Sequence, residues 1–249
     1  MIIIIIILFL LITGALLWFG GFSQFFQKPS GSTAVLGDFS QNNDEVGPRQ
    51  ETTLPLPPPD FATLNQNNPD LKPELKSELV KTFEDLLVRL EKEPDSAQTW
   101  ADLGSVKYAF MDYKGAEALW LYTLELNPDI LVAHANLGEL YWHKLPNYPK
   151  AEEAFLQLIE RDPMNALRVY KDLSDLYRYN YKEKADLADD VFLDALKKYP
   201  ENPNLLSHLA RLYMEEGKTD LAIEYFERVL AVMPDNESAR EELGRLRNR

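Results

Sequence analysis

The sequence predicts an all-α solenoid of stacked helical hairpins, preceded by an apolar transmembrane helix and a disordered linker. Three observations carry that reading. Prolines recur at Pro94, Pro128, Pro163, Pro200 and Pro234, at spacings of 34, 35, 37 and 34 residues. Ala116, Ala151, Ala188 and Ala222 keep the same period, and each is followed four residues later by an aromatic: Trp120, Phe155, Phe192 and Phe226. Ahead of all this stands a run from Ile2 to Phe19 without a single charged side chain. A fixed period of this length marks repeat architectures, in which each unit buries its apolar face only against its neighbours.

The apolar run sets the first element, a membrane anchor assigned to residues 1–26. A helix needs roughly 20 apolar residues to cross a ~30 Å hydrocarbon layer. Phe22, Phe25 and Phe26 extend the run, and Trp18 suits an interface. A cleaved signal peptide is the competing reading. It calls for a basic start and a small-residue cleavage site, yet Lys28 is the first basic residue. The expectation is a single-pass membrane protein. The charges flanking the run barely differ, so the composition of the following stalk carries the expected extracytoplasmic placement of the rest.

Residues 27–73 read as a disordered linker rich in Pro, Asn and Gln, with too little apolar surface to offset the entropy of ordering. Within it, Leu54-Pro55-Leu56-Pro57-Pro58-Pro59 favours an extended polyproline II helix. The segment has the composition of a proline-motif ligand and of a spacer, and the spacer is the preferred reading.

From residue 74 the chain is helical throughout. A lone amphipathic helix (74–93) carries Leu79, Phe83, Leu86, Leu87 and Leu90 on one side. Four units follow at 97–130, 131–165, 166–202 and 203–236, and a capping helix at 237–247 with a polar outer face. Leu103-Gly104, Leu137-Gly138, Leu173-Ser174 and Leu209-Ala210 mark the same point in each unit. The small residue lets the two helices of a hairpin approach, and the aromatic after the alanine fills the layer beyond. Each closing proline ends a helix by withholding an N–H donor. Asp95, Asp129 and Asp235 follow three of these prolines and favour the next helix N-terminus. The extra residues of the second and third units fall around Pro146–Pro149 and Asn180–Lys184, between the two helices.

This pattern resembles the tetratricopeptide-repeat (TPR) consensus W-x2-L-G-x2-Y, then A-x3-F, then P. The first unit reads Trp100-x2-Leu103-Gly104 with Tyr108 one place late, and the second has His134 in the tryptophan position. The third reads Tyr170-x2-Leu173-Ser174-x2-Tyr177, and the fourth Leu209-Ala210-x2-Tyr213. The resemblance implies a right-handed superhelix whose first helices line a concave groove that binds peptides. Carried over residue by residue, the groove positions include Tyr108, Asn136, Glu139, Trp142, Arg168, Lys171, Asp175, Arg178, Tyr179, Arg211 and Met214. Four basic side chains there stand out on a protein of net charge −14. Beside the aromatics they imply a protein or peptide partner with acidic and apolar side chains. The alternative is that the aromatics pack between helices and the arginines pair with neighbouring carboxylates. The carboxylate clamp of chaperone-adaptor TPRs wants Lys and Asn where Ala101 and Ser105 sit, which argues against that use.

Composition narrows the function further. With 40 acidic residues against 26 basic ones and no basic stripe, the chain repels nucleic acid. The absence of cysteine excludes disulfides, thiolate metal sites and cysteine nucleophiles. His134 and His143 are nine residues apart and share no ligating face. No phosphate loop, nucleotide fingerprint or nucleophile elbow is present. The expectation is therefore no enzyme, no cofactor, no metal and no small-molecule substrate. The function expected is a membrane-tethered scaffold that binds a partner segment in the groove. A chaperone-like holder of unfolded or apo-protein substrates stays open as the alternative, because the anchor–linker–repeat layout is similar to that of TPR proteins of cytochrome c maturation.

Overall fold

The computed structural model describes residues 54–163 and 167–248. The anchor assigned to 1–26, and the linker as far as residue 53, lie outside the described residues. Among the described residues no helix is long and apolar enough to cross a membrane.

Ten α-helices follow one another, and no strand forms among the described residues. Helix α1 (Pro73–Lys92) stands alone, with proline in its first turn, where the missing N–H costs nothing. Three hairpins pair α2 (Ala97–Ala109) with α3 (Tyr113–Leu126), α4 (Leu131–His143) with α5 (Tyr148–Arg161), and α8 (Pro203–Glu215) with α9 (Thr219–Val232). Helix α10 (Glu237–Arg247) closes the stack.

The third unit differs. Its first helix, α6 (Leu167–Asp175), runs on as a π turn over Leu176–Asn180, where the Tyr181 N–H donates to the Leu176 carbonyl at 2.7 Å. A 3₁₀ stretch, Lys182–Leu187, then leads into α7 (Asp190–Lys198). The extra residues of this unit are thus absorbed by widening one helix and tightening the next.

Small residues hold the hairpins together. A Cβ on Gly104 would lie 2.6 Å from the indole of Trp120, and one on Gly138 would lie 2.5 Å from the ring of Phe155. Both aromatics are fully buried, so each helix pair closes on a glycine–aromatic contact. Gly244 occupies the same register in α10, and its Cβ would meet nothing within 4 Å.

The tryptophan position also has a fixed partner. Trp100 Nε1 donates to the Pro94 carbonyl at 2.8 Å. The His134 ring bonds the Pro128 carbonyl at 2.9 Å, and Arg240 donates to the Pro234 carbonyl at 2.6 Å. Different side chains thus satisfy the carbonyl of the proline that ends the preceding unit, a group no helical N–H reaches. Burial lowers the His134 pKa, and a carbonyl acceptor requires Nε2 to carry the proton.

Two expectations are corrected. The helix caps fall one residue after the aspartates: Asn236, not Asp235, accepts from the Ala239 N–H, and Asp129 instead pairs with Arg161. More importantly, residues 54–72 pack on the domain although the composition reads as linker. Phe61, Leu64 and Leu71 rest on a core of Leu79, Phe83, Trp100, Val106 and Tyr122. Phe61 meets Trp100 edge-on at 5.0 Å, and the Asn68 amide donates to the Ala109 carbonyl at 2.7 Å. A few apolar side chains suffice here because proline removes backbone freedom in the unfolded chain, and the domain supplies donors for the strap's unpaired carbonyls.

Candidate partner-binding face

The first helices of successive units meet along one face, and polar side chains stitch them together there. Asn136 on α4 donates to Ser105 on α2 at 3.3 Å. Arg168 on α6 reaches Glu139 on α4 at 2.6 Å. Arg178, in the π turn, reaches Glu215 on α8 at 2.5 Å, and Arg211 on α8 reaches Ser238 on α10 at 3.2 Å. Asn136, Glu139, Arg168, Arg178 and Arg211 are among the positions expected in the groove, and each contacts a residue of a neighbouring unit.

The charge of that face differs from the sequence expectation. Arg168 also donates to Asp172 at 3.2 Å, and Lys171 pairs with Asp175. Arg168 pairs with Glu139 and Asp172, Lys171 with Asp175 and Arg178 with Glu215, while Arg211 donates to the Ser238 hydroxyl, so four cations stand with four carboxylates along this face. The face is a charge-balanced ladder rather than a basic patch. The i,i+4 spacings of Arg168 to Asp172 and Lys171 to Asp175 were available in the sequence.

Asp172 is the unusual member. Burial pushes its carboxyl up to about 6, Arg168 draws it down, and nearby Glu139 raises it again. His208, stacked on Phe192 at 5.9 Å, is lowered by burial and by Arg211 and Lys171.

The aromatic positions split into two kinds. Tyr108 is half-buried, with its ring 5.3 Å from Tyr113 and 5.7 Å from Trp120, so it belongs to the edge of the core. Met214 also packs against the core. Trp142 is half-buried, edge-on to Phe155 at 6.1 Å, and its Nε1 donates to the Asn180 side chain at 2.9 Å. Tyr179 is different: it is 52% exposed, the most exposed aromatic among the described residues, and the Arg178 guanidinium lies 5.0 Å from its ring centroid. Arg178, Tyr179 and Asn180 all sit in the π turn. That widened turn presents Tyr179 and supplies the partner for Trp142. Asn180 and Asp172 were not among the positions expected from sequence.

A second set of contacts, on the flank where each first helix meets the preceding second helix, recurs three times. Tyr141 donates to Glu117 at 2.8 Å, Tyr177 to Glu152, and Tyr213 to Asp189 at 3.2 Å. A lysine joins each pair: Lys150 with Glu117, Lys184 with Glu152, and Lys218 with Asp189. Each lysine also lies over the tyrosine ring, at 4.9, 5.7 and 5.2 Å. Burial first, and then the partner carboxylate, raises the pKa of Tyr141 and Tyr177. The sequence signal was an acidic residue directly after the repeat alanine in units one to three, replaced by Ile223 in unit four. These clamps fix neighbouring units relative to one another, and so fix the spacing of their first helices.

Among the described residues no three His, Asp or Glu side chains gather into a metal-holding group. A cleft of about 320 Å³, lined by Pro149, Glu152, Leu156, Glu160 and Lys184, lies beside the second clamp.

No curated protein matches the chain. Among solved structures, the crystal structure of MamA is 16% identical, with 66% of this chain and 94% of that chain covered and a TM-score of 0.49. YrrB, described as a TPR protein with an unusual peptide-binding site, is 18% identical, with 66% and 82% covered and a TM-score of 0.45. Two tetratricopeptide-repeat family models match, one over residues 90–166 and the other over 182–246. Together they span more than half of the chain, which therefore belongs to the tetratricopeptide-repeat family.

Proposed function

We propose that this protein is a membrane-tethered interaction scaffold that takes an extended segment of a partner protein along the face where its first helices meet. The observation that carries the reading is the π turn of the third unit. It holds Tyr179 out to solvent with Arg178 against its ring, beside the half-buried Trp142. Aromatic and arginine side chains in such settings dominate interface energies. The fold adds a reason: the clamps hold the first helices at a fixed spacing, so the groove is organised before a ligand arrives and loses little entropy on binding.

The balanced ladder refines the expected ligand. A purely acidic segment would have to displace Glu139, Asp175 and Glu215 from their cations. A segment with an apolar anchor for Tyr179 and Trp142, flanked by charges of both signs, can exchange ion pairs one for one. The reading includes the tether: residues 1–26 hold the domain at a membrane, on its extracytoplasmic side, and the chain acts by binding rather than by catalysis.

The test begins with the full-length chain in native membranes, crosslinked and analysed by mass spectrometry to identify the bound protein. That protein is then titrated against the wild type, Tyr179→Ser and Arg178→Glu, with a thermal melt on each variant. The reading expects about tenfold weaker binding for each variant with unchanged folding. Unchanged affinity in folded variants would move the site off this face. Binding of many unrelated unfolded chains, in place of one defined partner, would favour a chaperone-like holder.

A further inference from the structure

The docked strap shows one side to the domain and another to solvent. Burial along it recurs every three residues: Pro55, Pro58, Phe61 and Leu64 are half-buried while their neighbours are exposed. Pro55 and Pro58 fit the three-residue period of a polyproline II helix, which consecutive prolines favour, and a turn follows: Asp60 has φ 60°, the Thr63 N–H donates to the Asp60 carbonyl at 3.0 Å, and Phe61 comes round onto Trp100. The inward edge is held by main-chain capture. Tyr122 donates its hydroxyl to the Pro55 carbonyl at 3.0 Å, and Lys107 donates to the Asp60 and Thr63 carbonyls at 3.1 and 2.7 Å.

The outward edges carry Leu54, Leu56, Pro57 and Pro59. Leu56 is 92% exposed, far more than any other large apolar side chain among the described residues. No residue from Leu54 to Pro59 is charged, so this is a neutral apolar ridge on a strongly acidic protein. A polyproline II helix makes no internal hydrogen bonds, so the carbonyls on its outward side remain open to donors.

We propose that this ridge is a second docking surface, a pre-formed proline-rich ligand for a partner protein whose groove is lined by aromatic rings and their N–H or O–H donors. The domain holds the inner edge through one such donor, the Tyr122 hydroxyl on the Pro55 carbonyl. A partner reading the outer edges meets two Leu–Pro pairs three residues apart, Leu54 with Pro57 and Leu56 with Pro59. Such grooves gain affinity from a ligand whose conformation is already set, and docking onto a folded domain sets it more firmly than in a free peptide. The ridge is separate from the ladder face, so either surface can be tested without the other.

The experiment places a photoreactive phenylalanine derivative at Leu56 of the full-length chain in native membranes, with a matched insertion at Val88 as control. A synthetic peptide of residues 52–61 is the competitor, and the same peptide with its prolines replaced by glycine is the second probe. The expected result is an adduct at position 56 but not 88, reduced about tenfold by the proline peptide and unaffected by the glycine peptide. In the full-length chain, Pro57→Gly combined with Pro59→Gly should lower the adduct about as much while lowering the melting temperature only slightly, with the domain still folded at the temperature of the experiment. Equal adducts at both positions, equal competition by both peptides, or an adduct whose mass is that of a second copy of this chain would overturn the proposal.

Discussion

Lys107 donates to the carbonyl of Thr63, forty-four residues earlier, at 2.7 Å. It stands at the position that Tyr141, Tyr177 and Tyr213 fill in the later units. Those tyrosines each reach a carboxylate on the preceding second helix. Before Lys107 the preceding helix is α1, which offers Phe83 at that register, and the lysine turns instead to the strap and to Asp112 at 3.1 Å. Its side chain is only 4% exposed. The strap therefore completes the first unit.

Truncation tests this directly. A chain beginning at Pro73 leaves the Lys107 ammonium with Asp112 alone and uncovers Trp100 and Tyr122. Unpaired buried polar groups and lost apolar contacts together cost about 2–4 kcal/mol. Urea denaturation should show that deficit relative to a chain beginning at Leu54. Equal midpoints would mean that the strap contributes nothing to the fold.

The hairpin glycines separate by position. Gly138→Ala drives a methyl against the buried Phe155 ring and should destabilise by about 1–3 kcal/mol. Gly244→Ala meets open space and gains helix propensity, so it should stabilise by up to about 1 kcal/mol. Denaturant midpoints of the two variants should move in opposite directions.

Met111 ends α2 with φ at 64°, in the left-handed region, at the position where Gly217 ends α8 with φ at 73°. A side chain there is strained by roughly 1–2 kcal/mol. Met111 is 44% exposed, so little packing is lost on its removal. Met111→Gly should raise the melting temperature, and a lowered one would show that the methionine contributes packing.

Asp172 supplies a pH dependence. Its folded pKa of about 6 lies above the ordinary 3.8, so the folded state holds the proton more tightly than the unfolded chain. The stability this group contributes is present below about pH 4, declines as pH rises towards 6, and is flat above. Asp172→Asn removes that decline. The difference in stability between variant and wild type should shift by about 2 kcal/mol in favour of the variant between pH 4 and pH 7. Denaturation at the two pH values measures it, and a constant difference would place the carboxyl in the ordinary range.

Much of this architecture was legible because repeat proteins state each contact several times. The alanine, aromatic and proline columns located the hairpins, and the Leu-small pairs located the close approach that Gly104 and Gly138 make. Contacts that occur once were not legible. The strap looked like linker because its composition is polar, and nothing local shows that Lys107 and Tyr122 wait to receive its carbonyls. On the ladder face only the i,i+4 pairs Arg168–Asp172 and Lys171–Asp175 are local; the pairs Arg168–Glu139 and Arg178–Glu215 join neighbouring units, which sequence spacing does not show. The π turn was visible only as extra residues near Asn180, without the geometry that brings Asn180 to Trp142.

The central claim is that partner proteins bind along the first helices. Hydrogen–deuterium exchange of the full-length chain, with and without the captured partner protein, tests it most directly. Slowed exchange should concentrate in α4, in α6 with its π turn, and in α8, with α5 and α9 unchanged. Protection confined to α5 and α9 would contradict the account.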